Sequence, residues 1–275
     1  MNNRVNLTTS CRDCDTLPKH DKAGIIETTN NTKYQYMHNG LKIKWDTYHS
    51  PWMNTIISKL KGHHEPQEEL CFYHILETMP EKANMIELGC HWAYYSMWFN
   101  KKIKDSYNLC MEPVRENLDG GIANSKLNEC ENMEFIQGCV TEVFRPDMEF
   151  TNWDNKKYKM PGYPLQKLME DRDIFVDVVH SDIQGAESHL LKKSIPVLPK
   201  IGYFIISTHG GVHPYCQSFL EDNNFQILVQ HSVNESYSGD GLIVAINKLH
   251  INKYEENIDE DLISYFHKNC KISKK

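Results

Sequence analysis

The stretch that most constrains this chain runs from Met85 to Phe99. It opens as a short apolar run that ends in an acid and a glycine, Met85-Ile86-Glu87-Leu88-Gly89. It continues as an aromatic-rich segment with apolar residues at helical spacing. A buried parallel strand that turns sharply into a helix has this pattern. Gly89 stands where such a turn needs either a positive φ or close approach of a ligand to the backbone. The amides after it are expected at a helix N-terminus, bare and partly positive. A crevice of this kind, at the carboxyl end of a strand, suits a nucleotide-like cofactor.

Spacing narrows the choice. No G-x-G-x-x-G follows the strand, which disfavours a dinucleotide site. A second apolar run, Tyr107 to Met111, closes on Glu112-Pro113. An acid there is placed to accept hydrogen bonds from two ribose hydroxyls. Acid-x-Gly followed by a second strand-end acid about 20 residues on is shared by S-adenosylmethionine (SAM) enzymes and NAD enzymes. An ordinary βαβ unit with a structural turn would produce the same pair.

A third stretch, Phe175 to Glu187, reads as strand, acid, then Gly-Ala-Glu opening a helix. Through Glu87-Leu88-Gly89 and Asp182-Ile183-Gln184-Gly185-Ala186-Glu187 the chain resembles the FkbM family of SAM-dependent methyltransferases. Gln184 stands where that family has Glu, and Ala93 where it commonly has Gly. The resemblance spans roughly Leu41 to Asn247. It implies an α/β, Rossmann-like SAM-methyltransferase fold: a mostly parallel seven-stranded sheet with an antiparallel closing strand. It further implies SAM as cofactor, with Glu87 meeting the methionine part, Glu65 near the cofactor, and Gln137 beside the adenine. The activity implied is O-methyl transfer to a hydroxyl of a sugar, glycan precursor or small metabolite. SAM chemistry on a nitrogen, carbon or phosphorus-group acceptor, or a non-catalytic partner protein of this fold, are the alternatives.

The 275 residues suffice for one full core with an N-terminal extension. A formal net charge of -7 argues against a nucleic-acid surface as the main function. No apolar run reaches the roughly 18 residues of a membrane span, and the start lacks a signal-peptide core. A cytoplasmic location, with a small-molecule or sugar acceptor as partner, is the expectation; a homo-oligomer remains open. Nine cysteines include a lone Cys11-Arg12-Asp13-Cys14. Lacking a second ligand pair, it reads as two stray cysteines in a mobile tail.

Four segments follow from these signals: a flexible or docked extension over 1–33, a hairpin and helices over 34–80, the methyltransferase domain over 81–249, and a charged tail over 250–275. Asn39-Gly40 marks a hairpin turn. His63-His64-Glu65 reads as a polar helix entry before Pro66 in preference to a metal cluster, because adjacent side chains point apart. Residues 115–128 read as a helix that Gly120-Gly121 would bend. Residues 133–140 read as one strand, and 141–159 as an irregular insertion.

Methyl transfer from a sulfonium is an in-line displacement that also requires handling of the acceptor proton. Asp182 ends the fourth strand and His209 the fifth, so both side chains can converge on one oxygen. Either is a candidate general base. Alternatively Asp182 and His209, with His180 or Glu187, would hold a divalent cation. The scarcity of clustered carboxylates favours the metal-free base. Helix capping is the plain role for Asp182, a satisfied core histidine that for His209, and His180 is expected to pack against the sheet.

Overall fold

The computed structural model describes residues 2–47, 51–152 and 154–255. Along the chain come α1 (Asn2–Thr9), β1 (Ile26–Thr29), β2 (Thr32–Tyr36), β3 (Lys42–Lys44), α2 (Pro51–Lys59), α3 (Pro66–Glu77), β4 (Asn84–Leu88) and α4 (Tyr94–Lys102). Then follow β5 (Tyr107–Glu112), α5 (Arg115–Leu127), β6 (Met133–Gln137), β7 (Cys139–Val140), β8 (Arg145–Thr151), β9 (Lys157–Tyr163), α6 (Leu165–Glu170) and β10 (Val176–Ser181). The rest is α7 (Glu187–Lys192), β11 (Ile201–Thr208), α8 (His213–Asp222), β12 (Phe225–His231), β13 (Gly241–Asn247) and α9 (Ile251–Glu255).

The main sheet has seven strands in the order β12-β13-β11-β10-β4-β5-β6. β4, β5, β6, β10 and β11 run parallel, and β13 lies antiparallel to both β11 and β12. This is the expected Rossmann-like sheet with its antiparallel closing strand. Strand order reverses beside β4, which pairs with β5 on one side and β10 on the other. The carboxyl ends of β4 and β10 therefore flank the switch point where open α/β sheets place ligands.

Alternation along the strands sorts the core into two layers. Met85 and Val178 join Ile56, Ile57, Phe72, Tyr94 and Phe99 on one face. Ile86, Leu88 and Val179 join Leu109, Leu190, Phe204 and Leu220 on the other. Each such side chain, fully buried, contributes roughly 1.5–3 kcal/mol. Two polar residues, Glu87 and His180, interrupt the first face, and they are cross-strand neighbours.

Several expectations are corrected. The N-terminal hairpin is a three-stranded sheet that begins at Ile26, so residue 33 lies inside a strand. Cys11 and Cys14 are buried, and Cys14 donates to the Pro66 carbonyl at 2.9 Å, so the pair does not sit in a mobile tail. The strand expected over 133–140 splits at Gly138 between the main sheet and a second one. Instead of an irregular insertion, β7, β8 and β9 form a three-stranded sheet in the order β7-β9-β8. Helix α5 runs unbroken through Gly120-Gly121. Those glycines allow close packing: a Cβ on Gly121 would sit 3.2 Å from the His91 carbonyl. No helix among the described residues is long and apolar enough to cross a membrane. Of the charged tail expected over 250–275, α9 covers Ile251–Glu255, and the rest lies outside the described residues.

Candidate active site

The turn after β4 is built around Gly89, with φ +77°, where a Cβ would meet the Asp182 carbonyl at 1.9 Å. The requirement for glycine is therefore double: backbone conformation, and close approach of the strand-end backbone of β10. His91 and Ala93 also take positive φ, 44° and 61°, a strain of order 1–3 kcal/mol each that surrounding bonds must hold. The Gly89 and Cys90 amides both donate to the Met111 carbonyl, at 2.8 and 3.0 Å, and the His91 amide donates to Glu112 Oε2 at 3.1 Å. The bare amides expected after the strand are thus committed to β5, and the positive pole of α4 instead meets Glu87, whose Oε2 accepts the Ser96 amide at 2.9 Å.

A crevice opens at this end of the sheet, lined by residues that include Glu65, Glu87, Gly89, Tyr95, His180 and Asp182. His180, contrary to expectation, does not merely pack: its Nε2 lies 2.5 Å from Glu68 Oε1, while Ser207 donates to Glu68 Oε2 at 2.6 Å. The His180 ring lies against Tyr95 at 4.3 Å between centroids. Burial opposes its charge, but Glu68 and then Glu87 and Asp182 carry its pKa up to about 9. His180 is therefore an imidazolium at neutral pH, paired with an ionised Glu68. Burial raises the Glu87 pKa, with His180 and the Ser96 bond pulling the other way.

Asp182 meets His209 at the rim. His209 Nε2 is 3.5 Å from Asp182 Oδ1 and 3.3 Å from Asp240 Oδ1, and its Nδ1 is 2.8 Å from Glu187 Oε1. Gln184 donates to Asp182 Oδ1 at 2.8 Å. Desolvation raises Asp182 to about 6 against the pull of His209, although its side chain remains 32% exposed at the rim. For His209, burial acts downward, and the bond to Glu187 with the charges of Asp182 and Asp240 takes it up to about 9. His209 is thus not an isolated core histidine: three carboxyl groups surround it, and Gln184 Nε2 lies 3.0 Å from its Nε2. Asp240 is in turn reached by Arg4 of α1 at 3.1 Å.

The remaining candidates are placed unevenly. Glu65 borders the crevice, accepts from Tyr95 Oη at 3.2 Å, and is raised to about 7, chiefly by burial. Glu112 and Gln137 face each other in register on β5 and β6 but stand outside the crevice lining. Glu112 accepts from His91 N, Val114 N at 2.9 Å and Asn117 Nδ2 at 3.3 Å, and burial lifts it to about 7. Gln137 donates to the Pro113 carbonyl at 3.0 Å. Glu68 and Asp240 were missed. The acids after Pro66 read equally well as partners of a helix N-terminus, and no periodicity marks Asp240.

No protein-family model matches the chain, and no curated protein matches it. Solved structures with similar backbones include TrmK of M. capricolum in complex with S-adenosyl-homocysteine, at 14% identity and TM-score 0.44, covering 70% of this chain and 73% of that one. They also include a precorrin-6y C5,15-methyltransferase from Geobacter metallireducens, at 14% identity and TM-score 0.45, covering 65% and 89%. A ribosomal protein L11 methylase from Lactobacillus delbrueckii subsp. bulgaricus has 16% identity and TM-score 0.44, covering 68% and 80%. Likenesses this distant assign no chemistry, and the functional reading rests on the site.

Proposed function

We propose that the protein is a SAM-dependent methyltransferase that transfers the methyl group to a hydroxyl of a sugar, glycan precursor or other small metabolite. The observation that carries this reading is the convergence of Glu87, Gly89 and Asp182 on one crevice at the switch point of the sheet. The donor set fits a cationic cofactor: the crevice wall carries the carboxylates of Glu65, Glu87 and Asp182, and at Gly89 no side chain narrows it. Bound there, SAM would supply an electrophilic methyl on a sulfonium. Glu87 would hold the ammonium of its methionine part by a charge-assisted bond. Glu112 has about four lone-pair positions and three donors, so it would accept one ribose hydroxyl without giving up its loop. Gln137, its neighbour on β6, would flank the adenine.

Asp182 is the group in this reading that takes the acceptor proton. With a pKa of about 6 it is ionised at neutral pH, yet basic enough for general-base work. His209 orients Asp182 across the rim, and Glu187 fixes its ring.

The test has two stages. Calorimetry should detect S-adenosylhomocysteine binding to the wild type and a large loss in Glu87→Gln. Mass spectrometry should then detect methylated product from a panel of sugars and small alcohols, unchanged by a chelator. Absence of binding to the folded wild type would reject the cofactor. Binding with turnover only on amine or phosphate acceptors would reject the hydroxyl.

A further inference from the structure

Behind the wall of the crevice lies a second polar cluster, sealed inside the protein. His38 follows β2, His63 and His64 join α2 to α3, and Glu69 lies in the first turns of α3. Relative exposures are 2% for His38, 1% for His63 and 0% for Glu69. The rings of His38 and His63 stack 4.1 Å apart with 19° between planes, so both present their edges to one carboxylate. Glu69 Oε2 lies 2.6 Å from His63 Nδ1 and 3.7 Å from His38 Nε2.

The hydrogen-bond inventory of this cluster does not close. Glu69 Oε1 accepts the amides of His64 and Glu65, at 2.7 and 3.0 Å, and lies 2.7 Å from His64 Nδ1, while Oε2 also accepts from Tyr94 Oη at 3.4 Å. The Nδ1 of His38 faces the Pro18 carbonyl at 3.4 Å, a partner that can only accept. Donating there leaves Nε2 of a neutral ring as a bare lone pair, turned toward the carboxylate. The Nε2 of His38 lacks a hydrogen-bond partner among the described residues, while His63 meets the carboxylate through Nδ1. A lone pair opposite a carboxylate in a dry interior is repulsive unless a cation stands between them.

We propose that His38, His63 and Glu69 form a structural site for a divalent transition ion of the zinc type. The three residues are a group whose donor atoms all lie within 4.8 Å of one another. Two imidazoles and a carboxylate suit zinc, whose bonds of about 2.0–2.1 Å set ligand atoms about 3.3 Å apart in a tetrahedron. The observed separations of 2.6 and 3.7 Å bracket that spacing, and small rotations of the two rings even them out. A ring N–H directed at a backbone carbonyl, as at His38, is the usual way a ligating histidine is oriented. The three protein ligands leave the fourth tetrahedral position to a water, and total burial keeps a substrate from reaching it, so the role is structural.

Its placement gives it a purpose. The ion would tie the N-terminal sheet to α3, whose N-cap Glu65 lines the crevice and whose Glu68 pairs with His180 in its lining. The proposal does not depend on the methyltransferase reading, because metal content and melting are measured without turnover.

The test uses the full chain, purified without an affinity tag that binds metal. Elemental analysis should find one zinc per chain after dialysis. Stripping with a strong chelator should lower the thermal midpoint, and Zn²⁺ should restore it. Co²⁺ added to stripped protein should give the visible bands of a four-coordinate N/O site. His38→Gln should weaken metal affinity by about 10-fold or more, while Cys14→Ser should retain the ion. A folded wild type that holds no zinc and gives no Co²⁺ bands overturns the proposal. Loss of the ion in Cys14→Ser with retention in His38→Gln would also overturn it, by moving the metal to the cysteine pair.

Discussion

Gly89→Ala separates the two reasons for glycine at the turn after β4. An alanine at φ +77° pays the left-handed penalty of about 1–2 kcal/mol. Its Cβ would also stand 1.9 Å from the Asp182 carbonyl oxygen, where real Cβ contacts stop near 3.0 Å, so the end of β10 must retreat by about 1.1 Å. That retreat breaks the bond from the Asp182 amide to the Leu88 carbonyl, now 3.0 Å, and a buried pair left unmet costs about 1–3 kcal/mol. The expected loss is about 2–5 kcal/mol. Gly211 is a matched control: its φ is +81°, yet a Cβ there meets nothing within 4 Å. Gly211→Ala should therefore lose only the conformational part, about 1–2 kcal/mol. Urea unfolding of both variants measures the difference, with slopes of about 1–3 kcal/mol per molar converting midpoints to energies. Equal losses in the two variants would mean that the strand end yields freely, and would refute the argument that Gly89 is dictated by close approach.

Three further predictions test the site. His180, raised to about 9 in the folded state from about 6.5 unfolded, contributes stability that is complete below pH 6.5 and fades as pH rises to 9. The contribution is roughly 3 kcal/mol by linkage, and a wild-type pH slope no steeper than that of His180→Gln would contradict it. If Asp182 takes the acceptor proton, turnover should rise through pH about 6, and Asp182→Asn should cut kcat by about 100-fold or more with little change in S-adenosylhomocysteine binding; a variant that turns over normally removes Asp182 from that role. Glu112, held near 7 by burial, should lose a proton when a ribose hydroxyl donates to its carboxylate. Calorimetry at pH 6.5 in buffers of different ionisation enthalpy should then show proton release that is absent in Glu112→Gln.

What could be read from the chain alone follows the range of each interaction. Strands β4, β5 and β10 announce themselves because both faces are buried, and a run such as Met85 to Leu88 needs no partner to be recognised. Their terminal acids and Gly89 stand at fixed offsets from those runs, so they too were legible. β8 and β9 carried a weaker signal: Tyr158 and Met160 alternate with exposed lysines, a period of two that the aromatic content of the segment obscured. The charge states were not legible at all. His209 looks like an isolated histidine until Asp182 and Glu187, from the turn leading from β10 into α7, and Asp240, from the loop before β13, are seen around it. The same holds for His180, whose partner Glu68 lies on a helix packed across the sheet. Adjacent histidines at 63 and 64 are expected to point apart, yet both meet the carboxylate of Glu69, at 2.6 and 2.7 Å, and the hairpin brings in His38. Local pattern thus locates the crevice, while long-range packing decides which of its groups are charged, and the proton chemistry depends on that second layer.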